Sequence, residues 1–289
     1  MPSLNSQSLS SKLNKGFTLL ELIIVIIILG VMSVGIAGFI SLTTQTYLNV
    51  SERDELLSSA RFAVERLNRE IRDAVPNSVR VKQGVFSGFD IQCIEFVPTV
   101  ASTTYTDIPI SPEIARDDIT VIPFVGDDGS DYQCDVNCLD SVVIYPLNSD
   151  DIFQNQFDGV GKVFGLKTVT QTTASEWTLT LDRSLGVVFD DESPTERLFV
   201  MKAPVSYCVA SNRLFRYDNY GYSPTQLLPP IAPSQLMAEN IINMDLNESA
   251  FTVLSATLQR NAMVEMSLHF SRDDEDLVFN NDIHVLNIP

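Results

Sequence analysis

An α+β fold, one long N-terminal helix followed by a β-rich and mainly antiparallel domain, is predicted by three observations. Residues 17–40 form an apolar run holding a single charge, Glu21. Residues 52–75 are charged but keep apolar side chains at helical spacing, and beyond Pro76 the period falls from 3.6 to 2. The 289 residues are 45% hydrophobic, enough to bury a large core, and 13 Gly with 14 Pro exclude a collagen-like or low-complexity chain. With 37 acids against 19 basic residues the net charge is −18, which argues against nucleic acid as a partner because a phosphate backbone needs a cationic footprint. Two histidines leave little scope for His-based catalysis or a His-rich metal site.

Residues 1–16 are polar, carry Lys12 and Lys15 and contain no acid. The 24 residues Phe17–Ile40 would span about 36 Å as a helix, enough for a hydrocarbon core of about 30 Å. The flanking lysines favour a cytoplasmic N-terminus and an exported remainder. A secretory signal has a shorter apolar core of about 7–15 residues and a small-residue cleavage site after it. A plain signal-anchor accounts for this segment except for Glu21, since an acid in an apolar span is costly and points to a function and a partner. Gly30, Gly35 and Gly38 interrupt the run, either to let helices pack closely in lipid or as ordinary span residues.

The helix is expected to continue out of the membrane. Leu56, Ala60, Ala63, Leu67 and Ile71 form one apolar stripe, and Glu65 precedes Arg69 by four in the favourable orientation. Pro76 disfavours helix at Val75, so the helix is placed at Phe17–Val75, about 88 Å if straight. Arg53, Arg61 and Arg66 belong either to a solvated face or to contacts with neighbouring subunits.

Strands are predicted where apolar and polar residues alternate, at Trp177–Asp182 and Val264–Ser271, and at 90–97, 119–125, 140–146, 162–169, 196–202, 251–258 and 283–287. Val205–Val209, Ser211-Asn212 and Arg213–Tyr217 read as a tight hairpin. Ser223–Ser234, with four prolines, is read as an extended surface loop, the alternative being a linker to a C-terminal strand group. The organisation expected is a leader over 1–16, a long helix over 17–76 with 17–40 in the membrane, and a β-rich domain over 77–289.

Four cysteines, Cys93, Cys134, Cys138 and Cys208, allow three disulfide connectivities on the oxidising side of a membrane. Cys134 with Cys138 and Cys93 with Cys208 is the favoured set, because the first closes a short loop and the second joins two predicted strands. Asp127, Asp128 and Asp131 surround Gly129 as in a fragment of a calcium loop, without the closing Glu of an EF-hand. They are read as a solvated turn, with Ca²⁺ the alternative and no other cofactor expected. His269 and His284 fall on wet strand faces, Trp177 is assigned to the core, and the acidic run Asp273–Asp276 to a hairpin tip. No nucleotide-binding, serine-hydrolase or zinc-protease motif is found, so no catalytic residue is assigned.

Lys15-Gly16-Phe17-Thr18-Leu19-Leu20-Glu21, directly before the apolar run, resembles the prepilin signal of type IV pilins and type II secretion pseudopilins. The resemblance implies cleavage by a prepilin peptidase between Gly16 and Phe17, N-methylation of Phe17, and use of Glu21 in assembly by pairing with a neighbour's terminal amine. Loss of Lys12 and Lys15 would leave 273 residues at −20. Pilin helices often loosen between a Gly at the Gly30 position and a Pro eight residues on; here Gly38 stands at that second place. The stretch Arg61–Arg80 is similar to the larger minor pilins, those of mannose-sensitive haemagglutinin (MSHA) pili among them. The resemblance implies a non-enzymatic pilus subunit of the inner membrane, with its C-terminal domain periplasmic until assembly. Its partners would be the prepilin peptidase, major and minor pilins and the inner-membrane assembly platform. A type II secretion pseudopilin shares every N-terminal feature, and a membrane-tethered periplasmic enzyme or binding module is the rival from another class.

Overall fold

The computed structural model describes residues 16–134, 138–154, 159–254, 262–273 and 275–285. Most of the leader, the tip 135–137 of the short cysteine loop and the end of the strand expected at 251–258 therefore lie outside the described residues. Helix α1 runs Leu19–Arg72. The strands follow as β1 (Arg80–Phe86), β2 (Phe89–Phe96), β3 (Thr99–Asp107), β4 (Asp118–Val121), β5 (Ser141–Ile144), β6 (Val160–Gly161), β7 (Val163–Gln171), β8 (Trp177–Leu181), β9 (Val188–Phe189), β10 (Arg197–Met201), β11 (Val205–Ala210), β12 (Arg213–Tyr217), β13 (Ser234–Glu239), β14 (Phe251–Leu254), β15 (Ala262–Arg272) and β16 (Glu275–Val285). A one-turn helix α2 (Ser149–Ile152) lies between β5 and β6, capped by the Asn148 side chain, which accepts the Asp151 N–H. The architecture is α+β, and every strand pair except β6–β9 is antiparallel. The chain divides into two compact units, Met1–Glu55 and Leu56–Pro289.

In the first unit α1 is helical because its sequence is rich in Leu, Ile and Val with no proline, and its backbone groups are satisfied within the helix. Its apolar side chains are uncovered: Leu19 is 77% exposed and Phe39 70%. Hydroxyls that would otherwise need water fold back one turn, Ser33 donating to Leu29 O at 2.7 Å and Thr43 to Phe39 O at 2.8 Å. The surface left is greasy all round, the pattern of a helix made for lipid or for other helices.

In the second unit the outer part of α1 buries the predicted stripe. Leu56, Ala60, Ala63, Leu67 and Ile71, together with Val64, pack with Ile94, Phe96, Tyr207, Leu214, Met266 and Phe270 in one core. Two sheets supply those partners, β1-β2-β11-β12-β13 and β14-β15-β16. The i,i+4 pair that forms on the helix is Arg66–Glu70 at 2.9 Å; the expected Glu65–Arg69 pair is not made. The reason is tertiary. Glu70 also receives Arg216 Nε at 3.0 Å from β12, and Arg216 pairs with Asp218, so the acid sits between two cations. Helix α1 stops at Arg72, three residues before the expected end, because Ala74 bridges to Pro98 and Val75 N–H donates to Val97 O at 2.8 Å.

A second core was not foreseen. Strands β10-β3-β4-β8-β7-β5 close a six-stranded barrel around Val100, Val121, Ile144, Phe164, Trp177, Leu179 and Leu198. It lies within the compact unit Leu56–Pro289, as a second hydrophobic core beside the one under α1. The chain leaves the five-stranded sheet after Phe96, builds the barrel, and returns at Val205, which pairs directly with Phe96. The β11–β12 turn has Ser211 and Asn212 both at positive φ (48° and 61°), the backbone that two-residue hairpins need. Gly186, at φ 76°, lies so close to Arg116 N that a Cβ would meet it at 2.6 Å.

The proline-rich segment is a loop packed over β1 and β2, with β13 at its end. Arg80 donates to Ser223 O at 2.8 Å and Pro224 O at 2.9 Å, and Lys82 to Gln226 O at 2.9 Å. Arg80 also pairs with Glu95 at 2.6 Å, and its guanidinium lies 3.5 Å from the centre of the Phe153 ring. Burial raises the Glu95 carboxyl above its ordinary range, with Arg80 pulling the other way.

Candidate functional site at the start of the helix

Gly16, Phe17 and Thr18 are not helical, and α1 begins only at Leu19. Thr18 is its N-cap: the Thr18 hydroxyl accepts the Glu21 N–H at 3.3 Å, and Thr18 O accepts the Leu22 N–H at 3.2 Å. Thr-x-x-Glu before an apolar run is the capping-box spacing, a signal the sequence analysis quoted without reading as a cap. The consequence is chemical. The Gly16–Phe17 peptide lies in open, non-helical backbone, nothing lies within 4 Å of a Cβ built on Gly16, and Phe17 is 74% exposed. A protease can take such a bond without first unwinding a helix.

Glu21 is exposed in the first turn of α1, where the unsatisfied N–H groups of the helix start favour a negative charge. Cutting at Gly16 would create an ammonium on Phe17, four residues away. No other side chain lies within 4 Å of a Cβ built on Gly30, Gly35 or Gly38, so packing inside this chain gives no reason for those glycines.

The remaining predicted residues lie apart from this site. Cys93 and Cys208 are directly paired residues of β2 and β11 and form a disulfide, and Cys134 and Cys138 form the other. Asp128 accepts both N–H and O–H of Ser130, at 2.9 and 2.7 Å, which holds its carboxyl below the ordinary range. Asp127 lies 4.0 Å from Lys202, and Asp131 bridges to Val125. Among the described residues no group of three His, Cys, Asp or Glu side chains is placed to hold a metal ion. His284 is exposed, whereas His269 is partly covered, 3.5 Å from Glu248, because the segment before β14 packs over that strand face. Trp177 is buried against Phe124 in the barrel.

The Prokaryotic N-terminal methylation motif matches residues 11–37 of the chain. No curated protein and no solved structure matches it. The matched stretch contains Gly16, Phe17, Thr18 and Glu21 and most of the apolar run. The chain therefore carries a prepilin-type N-terminal methylation motif, followed by a helix long and apolar enough to cross a membrane, and the motif supports a type IV pilin-like or pseudopilin role.

Proposed function

We propose that the protein is a minor pilin of a type IV pilus, of the MSHA type, and not an enzyme. The observation that supports this reading most is the non-helical Gly16–Phe17 junction directly before a capped helix whose apolar first half is exposed and has one acid in its first turn. Cleavage there gives a Phe17 ammonium, which is then methylated and keeps its charge. In a bundle of such helices Glu21 of one subunit receives the ammonium of the next, so each buried charge finds its opposite. The incoming cation also replaces water at the helix start, where a carboxylate is already favoured.

A large acidic β-domain would crowd a lattice that repeats it at every position, which favours a place at or near the filament tip, in assembly initiation. The stretch Arg61–Arg80 resembles the O component of MSHA pilus biogenesis, the feature that favours a pilus over a type II secretion pseudopilus. Before assembly the N-terminus is cytoplasmic and the C-terminal domain periplasmic. The 126–131 turn works without a cation, and no cofactor is needed.

The test is N-terminal sequencing and intact mass of the protein from cells, beside sheared filaments. A mature chain beginning at methyl-Phe17, and found in filaments, is expected. Glu21→Gln should be cut normally but lost from filaments, and Gly16→Val should stay at precursor mass. A wild-type chain that retains Lys12 and Lys15 in its mature form would overturn the reading in favour of a tethered periplasmic module.

A further inference from the structure

The pattern Asn-x-Ser/Thr occurs twice, at Asn49-Val50-Ser51 and Asn247-Glu248-Ser249. On an exported chain that spacing is the acceptor for an N-linked sugar, because the transferring enzyme holds the carboxamide and the hydroxyl two residues on together. Asn49 lies inside α1. At about 100° per residue, positions two apart in a helix point about 200° apart, so Asn49 and Ser51 face opposite ways and one enzyme site cannot hold both. Asn247 is placed differently.

Residues 243–247 form a turn between the Ile241–Phe270 bridge and β14. The base of this segment is fixed on both sides. The buried Asn243 carboxamide donates to Ser267 O at 2.8 Å and accepts the His269 N–H at 2.8 Å, and the buried Ala250 donates its N–H to the Gln92 side chain at 2.7 Å. Between these anchors Asp245, Leu246, Asn247, Glu248 and Ser249 are all exposed. Asn247 has φ 55°, a left-handed conformation that Asn adopts at small cost. Among the described residues neither the Asn247 carboxamide nor the Ser249 hydroxyl has a hydrogen-bond partner. Their neighbours are engaged: Asp245 accepts the Asn212 side-chain N–H at 2.8 Å, and Glu248 lies 3.5 Å from His269 Nδ1. The two groups the pattern needs are thus the two that the fold leaves idle. Asp245 adds a third. A carboxylate two residues ahead of the Asn is a handle that bacterial enzymes of this class take with a guanidinium, a charge-assisted contact; the helical copy has Tyr47 there.

We propose that Asn247 is an N-glycosylation acceptor, with Ser249 and Asp245 as the residues that seat it in the enzyme. The donor is a lipid-diphosphate-linked oligosaccharide. Asn247 Nδ2 bonds to the anomeric carbon, the bond from that carbon to the diphosphate oxygen breaks, the lipid diphosphate leaves with the electron pair, and the amide proton passes to an enzyme base. The proposal rests on the exported, membrane-anchored placement of the minor-pilin reading, which brings the folded domain to the side of the membrane where such donors are used. A rigid base beneath an exposed tip lets the folded domain itself be the substrate.

The test is peptide mapping of the full chain isolated from its own cells. The tryptic peptide 217–260, released by cuts after Arg216 and Arg260, is expected to carry an added oligosaccharide mass, with fragment ions placing it on Asn247. Asn247→Gln should lose that mass. Ser249→Ala should lose it and Ser249→Thr keep it, which separates a missing hydroxyl from a disturbed turn. Asp245→Asn should lose it and Asp245→Glu keep it. A wild-type peptide found only at its unmodified mass would overturn the proposal, as would a sugar on Ser249 or one retained in Asn247→Gln. A mature chain that begins at methyl-Phe17 with a bare Asn247 would fail the acceptor and leave the minor-pilin reading standing. A glycosylated chain that keeps Lys12 and Lys15 would do the reverse.

Discussion

Replacing Arg80 by Met should destabilise the protein in a pH-dependent way. Among the described residues Arg80 is the one cation paired with Glu95, whose side chain is 2% exposed, at 2.6 Å. Leaving that carboxylate without its cation cannot cost more than neutralising it, because the acid can bind a proton instead. Measured from the ordinary value of 4.5, holding that proton costs about 3.4 kcal/mol at pH 7 and about 0.8 kcal/mol at pH 5, at 1.36 kcal/mol per pH unit. Loss of the hydrogen bonds to Ser223 O and Pro224 O adds about 1 kcal/mol that does not depend on pH. Arg80→Met should therefore cost at most about 4 kcal/mol at pH 7 and at most about 2 kcal/mol at pH 5, with the larger loss at pH 7. Urea unfolding of the full chain in detergent, followed by far-UV circular dichroism and the emission of buried Trp177, measures it. Arg80→Met with Glu95→Gln should recover the pH-dependent part alone. A loss of equal size at both pH values, or no recovery in the double variant, would refute the argument.

Four further outcomes are expected. In the wild type Glu95 is raised by burial, so it contributes stability that is present below 4.5 and lost as pH rises through its folded value; Glu95→Gln should flatten that part of the stability–pH curve. Asp107 has the opposite sign: its hydrogen bond from Arg116 at 2.5 Å holds it below 3.8, so its contribution appears above 3.8 and fades as pH falls, and exposure limits Asp107→Asn to about 0–1 kcal/mol in acid unfolding. Removing the Cys93–Cys208 bridge, with a sequence separation of 115, should cost about 4.8 kcal/mol by loop entropy, against about 2 kcal/mol for Cys134–Cys138 with a separation of 4, as read by paired Cys→Ala melts. Leu67→Ala, at a fully buried position of the helix stripe, should cost about 2–5 kcal/mol in the same assay.

The helix and its site were legible because their signals are local. An apolar run of 24 residues and a stripe at steps of three and four need no tertiary information, and every predicted stripe residue is buried. The β11–β12 hairpin was legible for the same reason, its turn being set by Ser211-Asn212. Strands β1, β3, β6, β9 and β13 were not placed, nor was β16 before residue 283. β1 carries Arg80, Lys82 and Gln83 at a sheet edge, and β3 is Thr- and Ser-rich with its polar face turned to neighbours, so neither shows clean alternation. The barrel was hidden because closure depends on pairing β10 with β3 and β5, segments about 55–100 residues apart, which periodicity does not encode. The ion pairing along the helix was half visible. Arg61 was singled out and Arg69 assigned to Glu65, but only the structure shows that Arg66 takes Glu70 and leaves Arg69 without an acid.

Phe96 and Val205 lie side by side, so everything between them departs and re-enters through a single doorway. The helix-bearing sheet would close over that gap with a short turn, and the strands that grip α1 would keep their neighbours. Variation in the intervening hundred residues can thus reshape what the molecule shows to its surroundings while the core around the Leu56–Ile71 stripe, which uses none of them, is kept, in the way a tool's bit is changed while the shank stays in the chuck.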